Sequence, residues 1–206
     1  MKKLVIAGVT CALAMTTAVA CAAPTELEQG KLNVNMGVML SPDAEYNGED
    51  WLDGSTSFYG SVTYGLADKW GIQYDYSHYG ASAYGTDFDL DANEFNVLYK
   101  LDAHLNVFAG YVYAGMRMSD RFHSFGDHTD GFQAGLTGWY PLADKVKTFG
   151  KIGIGNNSRI YEIGFSYAIA DNWDVDLSYR DAEYKDIGGI VDMDYDGVRL
   201  GVSTAF

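Results

Sequence analysis

Histidine, serine and aspartate cluster in one stretch, His123-Ser124 and Asp127-His128, with His78 further upstream. These are the residue types that acyl-transfer catalysis assembles as base, nucleophile and orienting group, which must lie within hydrogen-bond reach of one another. No spacing here matches a hydrolase motif, so these residues are expected to be non-catalytic. A second constellation, Asp192-Met193-Asp194-Tyr195-Asp196-Gly197, has the alternating carboxylates that open an EF-hand loop, which ends in a glutamate at its twelfth position. Ser203 stands at that position, which excludes an EF-hand. A third set is dispersed. Lys151, Glu162 and Arg180, with Asp75, Glu94, Asp174, Asp176 and Arg199, interrupt segments in which apolar residues alternate with Gly, Ser, Thr and Asn. Whether these charges meet depends on the elements that carry them.

Alternation runs through the chain. Leu32, Val34, Met36, Val38 and Leu40 share one parity; Val62, Tyr64 and Leu66 do the same, as do Trp70, Ile72, Tyr74 and Tyr76. Period two over such lengths is the strand signal. It recurs at 95–99, 105–113, 132–140, 148–154, 161–167, 173–179 and 198–206, predicting ten strands, or eight if the Asn156-Asn157 hairpin is misread. A short repeat joins them in pairs: Leu66-Ala-Asp-Lys-Trp70, Leu101-Asp-Ala-His-Leu105, Leu142-Ala-Asp-Lys-Val146 and Ile169-Ala-Asp-Asn-Trp173. Three polar residues between apolar ones make a hairpin loop. This sets Tyr64 opposite Ile72, Tyr99 opposite Val107, Tyr140 opposite Thr148 and Tyr167 opposite Val175. Asn156-Asn157 and Gly188-Gly189 turn two further hairpins, whereas 41–55, 79–90 and 117–130 read as long acidic loops. His104 falls in a short turn and is expected to face solvent.

The registers place the dispersed charges. Lys151 pairs with Glu162 and Glu162 with Arg180, on the parity opposite the apolar set, together with Asp75, Glu94, Asp174, Asp176 and Arg199. They are expected to satisfy one another inside a narrow barrel or to line a narrow pore. On the other parity the pattern inverts beyond Tyr179 and Val198, where Asp181 faces Asp196 and Glu183 faces Asp194. Like charges directly opposite are destabilising, so Ca2+ or Mg2+, or a cation bridge to lipid phosphate, is the expected relief.

Residues 1–22 have the layout of a cleaved export signal: Lys2 and Lys3, an apolar run, and Ala20-Cys21-Ala22. A lipidated Cys21 is the alternative. Residues 23–30 are expected to be a short periplasmic segment and 31–206 the barrel. Both cysteines, Cys11 and Cys21, fall in the signal, leaving no disulfide framework and no thiol chemistry. Removing its two lysines moves the formal charge from −14 to −16, which argues against nucleic acid as a partner. A soluble, lipocalin-like barrel is the competing architecture, but the polar parity is poor in Lys and Glu.

Short turns on one side, longer connections on the other, an even strand number and aromatics at strand ends describe an all-β, transmembrane, antiparallel up-and-down barrel. Trp70, Tyr99, Tyr140, Tyr167, Trp173 and Phe206 form the expected periplasmic girdle; Tyr76, Tyr113 and Tyr179 lie toward the outer one. In this the chain resembles the small bacterial outer-membrane β-barrel proteins, the porin-like and OmpA-barrel-like group. The resemblance implies residence in the bacterial outer membrane after export, contact with its lipid and lipopolysaccharide, and recognition of the terminal Phe206 strand by the barrel-assembly machinery. No enzymatic activity and no resident cofactor are expected from the residues themselves, with an outer-membrane hydrolase as the least favoured reading. A monomeric narrow channel or passive structural barrel is the expected role, with a surface interaction protein acting through acidic loops as the alternative.

Overall fold

The computed structural model describes residues 27–206; the expected export signal, including Cys11 and Cys21, lies outside them. Ten strands close into one barrel of neighbouring hairpins, with β1 and β10 completing the seam. They are β1 (Leu32–Tyr46), β2 (Glu49–Ala67), β3 (Trp70–Ala83), β4 (Thr86–Lys100), β5 (Leu105–Ser119), β6 (Ser124–Ala143), β7 (Val146–Gly155), β8 (Ser158–Ala170), β9 (Trp173–Ile187) and β10 (Val191–Ala205). The eight-strand alternative is thereby removed. Phe206 follows β10 and is 71% exposed; it exchanges two backbone hydrogen bonds with Leu32 of β1, at 2.9 and 3.1 Å, across the seam. Closure pairs the edges that an open sheet would present to hydrocarbon.

Every expected register is found: Tyr64 with Ile72, Tyr99 with Val107, Tyr140 with Thr148, and Tyr167 with Val175. The apolar parity faces outward. Ile72, Phe95, Val97, Ile152, Ile163 and Leu177 are each close to half exposed, as a lipid-facing belt requires.

The three segments expected as long loops are instead strand. β1 and β2 continue to a turn at Asn47-Gly48, and β3 and β4 to one at Tyr84-Gly85, with positive φ at all four residues. That is the backbone of the two-residue hairpin turn for which Asn-Gly is the strongest signal. Between β5 and β6, the Asp120 carboxylate accepts the backbone N–H groups of Phe122 and His123, both at 2.7 Å. Strands of fifteen residues tilted by about 40° rise well past the ~25 Å apolar band, so the barrel projects beyond the membrane.

Above the band the faces exchange character. Tyr79, Leu90, Val112, Met116, Tyr184 and Tyr195 pack inside the barrel in one apolar cluster, while carboxylates occupy the outer face. Tyrosines mark the level of exchange: Tyr76 donates to Asp91 at 2.5 Å, and Tyr111 and Tyr179 donate to Asp130 and Asp196. In β1 the exchange needs a bulge. The pairing with β10 shifts between Leu40 and Asp43, with Ser41 at φ 40°, and Pro42, which lacks an N–H, sits where no ladder bond is required. Met39 and Ala44 therefore both face inward and Asp43 turns outward.

At the periplasmic mouth, Leu27 is buried with Leu98 and Phe108, and its carbonyl accepts the Lys100 ammonium at 3.0 Å. The described part of the expected periplasmic segment is thus turned into the barrel. Gly65 and Gly71 make room for it: a Cβ on Gly71 would meet the Leu27 side chain, and one on Gly65 the Glu28 carbonyl. Gly71→Val is expected to destabilise the barrel by about 1–3 kcal/mol through overpacking, read as a lower temperature for the heat-induced mobility shift on a gel.

Candidate functional site

The lumen is filled in layers. Between the Leu27 layer and the upper apolar cluster lie the charges that alternation places inside. The Lys151 ammonium is 2.7 Å from both Asp75 and Glu94. Arg180 meets Glu94 at 2.5 Å and Glu162 at 3.3 Å, and Arg199 lies 3.5 Å from the same Glu162 oxygen. Arg199 also donates to Ser77 at 2.8 Å and stands 4.0 Å over the Tyr59 ring. Gln133 donates to Glu94 at 3.1 Å and Ser178 to Glu162 at 2.8 Å. Three cations thus face three carboxylates, and the cavity among them is about 40 Å³, room for a few water molecules.

Lys151 and Glu162 are backbone partners, as are Glu162 and Arg180, as the sequence predicts. The side chains pair differently. Lys151 on β7 reaches across the barrel to β3 and β4, because inward side chains on a closed sheet converge on the opposite wall. Asp174 and Asp176 take separate positions nearer the periplasm, where Ser166 donates to Asp174 at 3.1 Å and Asn35 to Asp176 at 2.8 Å.

The outer wall above the membrane is acidic over three strands. Asp181 pairs with Asp196 and Glu183 with Asp194 across β9 and β10, as expected. Asp196 then pairs with Asp43 and Asp194 with Glu45 across β10 and β1, so the carboxylates form two rows of three. Asp43 and Glu45 were hidden to sequence reading because their segment reads as a loop and the bulge changes their parity; Pro42 is the signal that could have revealed the shift. Arg159 and Lys185 each lie 3.3 Å from Glu183. Partial burial, followed by the fields of Asp181, Glu183, Glu45 and Asp196, raises the Asp194 pKa to about 7. Among the described residues, no group of three or more His, Cys, Asp or Glu side chains has the arrangement to hold a metal ion.

The histidines face carboxylates on this outer side. His78 lies 2.9 Å from Asp91 and 3.8 Å from Asp89, His123 lies 3.7 Å from Asp120, and His128 lies 3.8 Å from Asp127. None of these pairs contains a hydroxyl nucleophile. His104, expected in solvent, instead sets its ring 4.3 Å from Trp139.

An antiparallel barrel with an apolar belt and a polar core is the architecture of a membrane-spanning β-barrel protein. The chain belongs to the outer membrane protein beta-barrel domain family, whose profile matches residues 10–206, and it is a bacterial outer-membrane protein. Among solved structures it is similar in fold to the outer membrane protease OmpT of Escherichia coli, with a TM-score of 0.56 and 10% identity over 89% of this chain and 100% of that one. It is also similar to Neisserial surface protein A, with a TM-score of 0.52 and 18% identity over 86% and 100%. No curated protein sequence matches the chain.

Two outcomes follow from the charges. Lys151→Ala leaves Asp75 and Glu94 without their shared cation and is expected to cost about 3–5 kcal/mol, measured by urea unfolding in detergent. Asp194 binds its proton more tightly folded than unfolded, so its own contribution to stability is full below the unfolded carboxylate range and is lost as pH rises through about 7. Asp194→Asn should remove that decline and stabilise the barrel at pH 8 by about 1 kcal/mol, the surface position screening the rest.

Proposed function

We propose that the protein is a closed outer-membrane barrel that acts at the cell surface, binding a partner with a basic face through its projecting acidic half. The observation that carries this reading is the filled lumen: an apolar cluster, an ion-paired layer and the Leu27 layer lie in series along the axis. A channel governed by Lys151, Glu162 and Arg180 needs mobile charge in an open path, and these charges are spent on one another. The projecting wall is continuous β-sheet, with its backbone ordered by the ladders. It presents a fixed field of carboxylates, which speeds encounter with a cationic surface and selects for it.

Catalysis has no part in this reading: His78, His123 and His128 face carboxylates, and His104 packs against Trp139. Calcium and magnesium screen the wall as diffuse counterions. Outer-membrane lipid and lipopolysaccharide surround the barrel, the assembly machinery acts on the strand ending in Phe206, and the protein works as a monomer.

In a planar bilayer the folded protein should give no discrete conductance steps, and steps altered by Lys151→Ala would return the assignment to a channel. Binding of a lysine-rich peptide should weaken about tenfold or more between low and physiological salt, and again in the Asp43→Lys, Asp196→Lys double variant. Unchanged binding in that variant would overturn the assignment of the wall. Calorimetry with calcium should show no saturable site.

A further inference from the structure

Among the described residues, those other than glycine with positive φ are Ser41, Asn47, Tyr84 and Asp186. Asparagine and aspartate tolerate this backbone, and Ser41 sits at the bulge, but for a bulky side chain it is strained. Tyr84 and Gly85 close the hairpin of β3 and β4 at φ 52° and 82°, the same turn that Asn47 and Gly48 make between β1 and β2 at 51° and 77°. At Asn47 the residue type is put to use, since its Oδ1 accepts the Asp192 backbone N–H at 2.8 Å. A tyrosine at the matching position needs another reason. Burial does not supply it, because Tyr84 is 95% exposed.

The exposed ring leans on a fixed neighbour. Its centroid lies 6.1 Å from that of Trp51, with the two planes 31° apart. Trp51 in turn packs edge-on against the buried Phe88 at 5.8 Å and against Tyr46 at 5.6 Å. An aromatic stack therefore rises from the upper apolar cluster to the outer rim and ends in an open tyrosine face. Carboxylates surround that face. Glu49 and Asp50 precede Trp51 and are exposed. In the second row below the turn Asp53 pairs with Ser82 and Ser82 with Asp87, and both acids are exposed.

We propose that Tyr84, backed by Trp51, is the anchor of the acidic surface and receives an arginine of the partner protein, whose guanidinium lies on the tyrosine face and turns its N–H groups to Asp87 and Asp53. The inference rests on the acidic-surface reading and narrows it from any cationic face to one that bears arginine. The chemistry of the rim selects this occupant. An aromatic face attracts a cation, the neighbouring carboxylates turn away anions, and an aliphatic side chain would leave those carboxylates nothing to bind. A lysine ammonium is a compact charge that the wall accommodates anywhere along its rows. A guanidinium is planar, stacks on a ring and meets a carboxylate through two parallel N–H groups, so it gains from Tyr84 what lysine does not. Backbone strain that folding does not repay collects where a protein binds, and tyrosine and tryptophan are the side chains that dominate such interfaces.

The test is biolayer interferometry with the barrel in lipid nanodiscs and two peptides of equal length and charge as probes, one carrying arginine and the other lysine at every cationic position. The wild type should bind the arginine peptide about fivefold more tightly than the lysine peptide. Tyr84→Ala should bring the arginine peptide down to the affinity of the lysine peptide and leave the lysine peptide unchanged. Tyr84→Asn, which suits the backbone of the turn, should lose the same preference while raising the temperature of the heat-induced mobility shift, which separates loss of the anchor from loss of folding. Equal affinities in the wild type, an arginine preference that survives in Tyr84→Ala, or a lower transition temperature in Tyr84→Asn would each overturn the proposal and leave the acidic surface standing. Failure of both peptides to bind would remove the acidic surface, and this anchor with it.

Discussion

Each strand that crosses the outer surface of the membrane must exchange its apolar face for its polar one, and the rest of the architecture follows from that exchange. Within the bilayer the outward parity meets hydrocarbon, so Ile72, Phe95 and Leu177 point out and polar groups turn in. Above it the outward parity meets water, so Asp181, Glu183 and Asp194 point out and Tyr184, Met193 and Tyr195 turn in. The tyrosines that donate to carboxylates at the boundary satisfy both solvents, with ring in lipid and hydroxyl at the wet edge.

The exchange divides the interior into zones with different physics. Inside the membrane zone, charge is tolerable only when paired, and a ten-stranded barrel is narrow enough for Lys151 to span it to Asp75 and Glu94. Inside the projecting zone, the barrel holds an ordinary hydrophobic core with the membrane no longer supplying an apolar solvent. That core keeps the outer half of the sheet standing, and without it the long hairpins would have only their ladders to order them. The acidic wall therefore has a rigid backing, although its own repulsion, felt most at Asp194, works against folding.

The lipid face is also uneven. Glycines on the inward parity accommodate Leu27 and the ring of Tyr59, whereas Gly138 and Gly150 face outward, where the His104 carbonyl closes on the first and the Glu162 carbonyl on the second.

Strand number, parity and register were legible in the sequence, because period-two alternation and short polar turns are local and a one-residue slip would move every apolar side chain to the wrong face. The backbone pairs Lys151 with Glu162 and Asp181 with Asp196 followed from that alone. The long connections do not read as strand because strand above the membrane alternates with the opposite parity, and Asn47-Gly48 then reads as part of a loop rather than as its turn. The bulge at Ser41 and Pro42, which brings Asp43 and Glu45 to the wall, depends on pairing with β10 from the far end of the chain. Local sequence thus determined which face each residue takes on its own strand. Only barrel closure decided which side chains meet across the lumen, since those contacts join residues that share neither a hairpin nor a register.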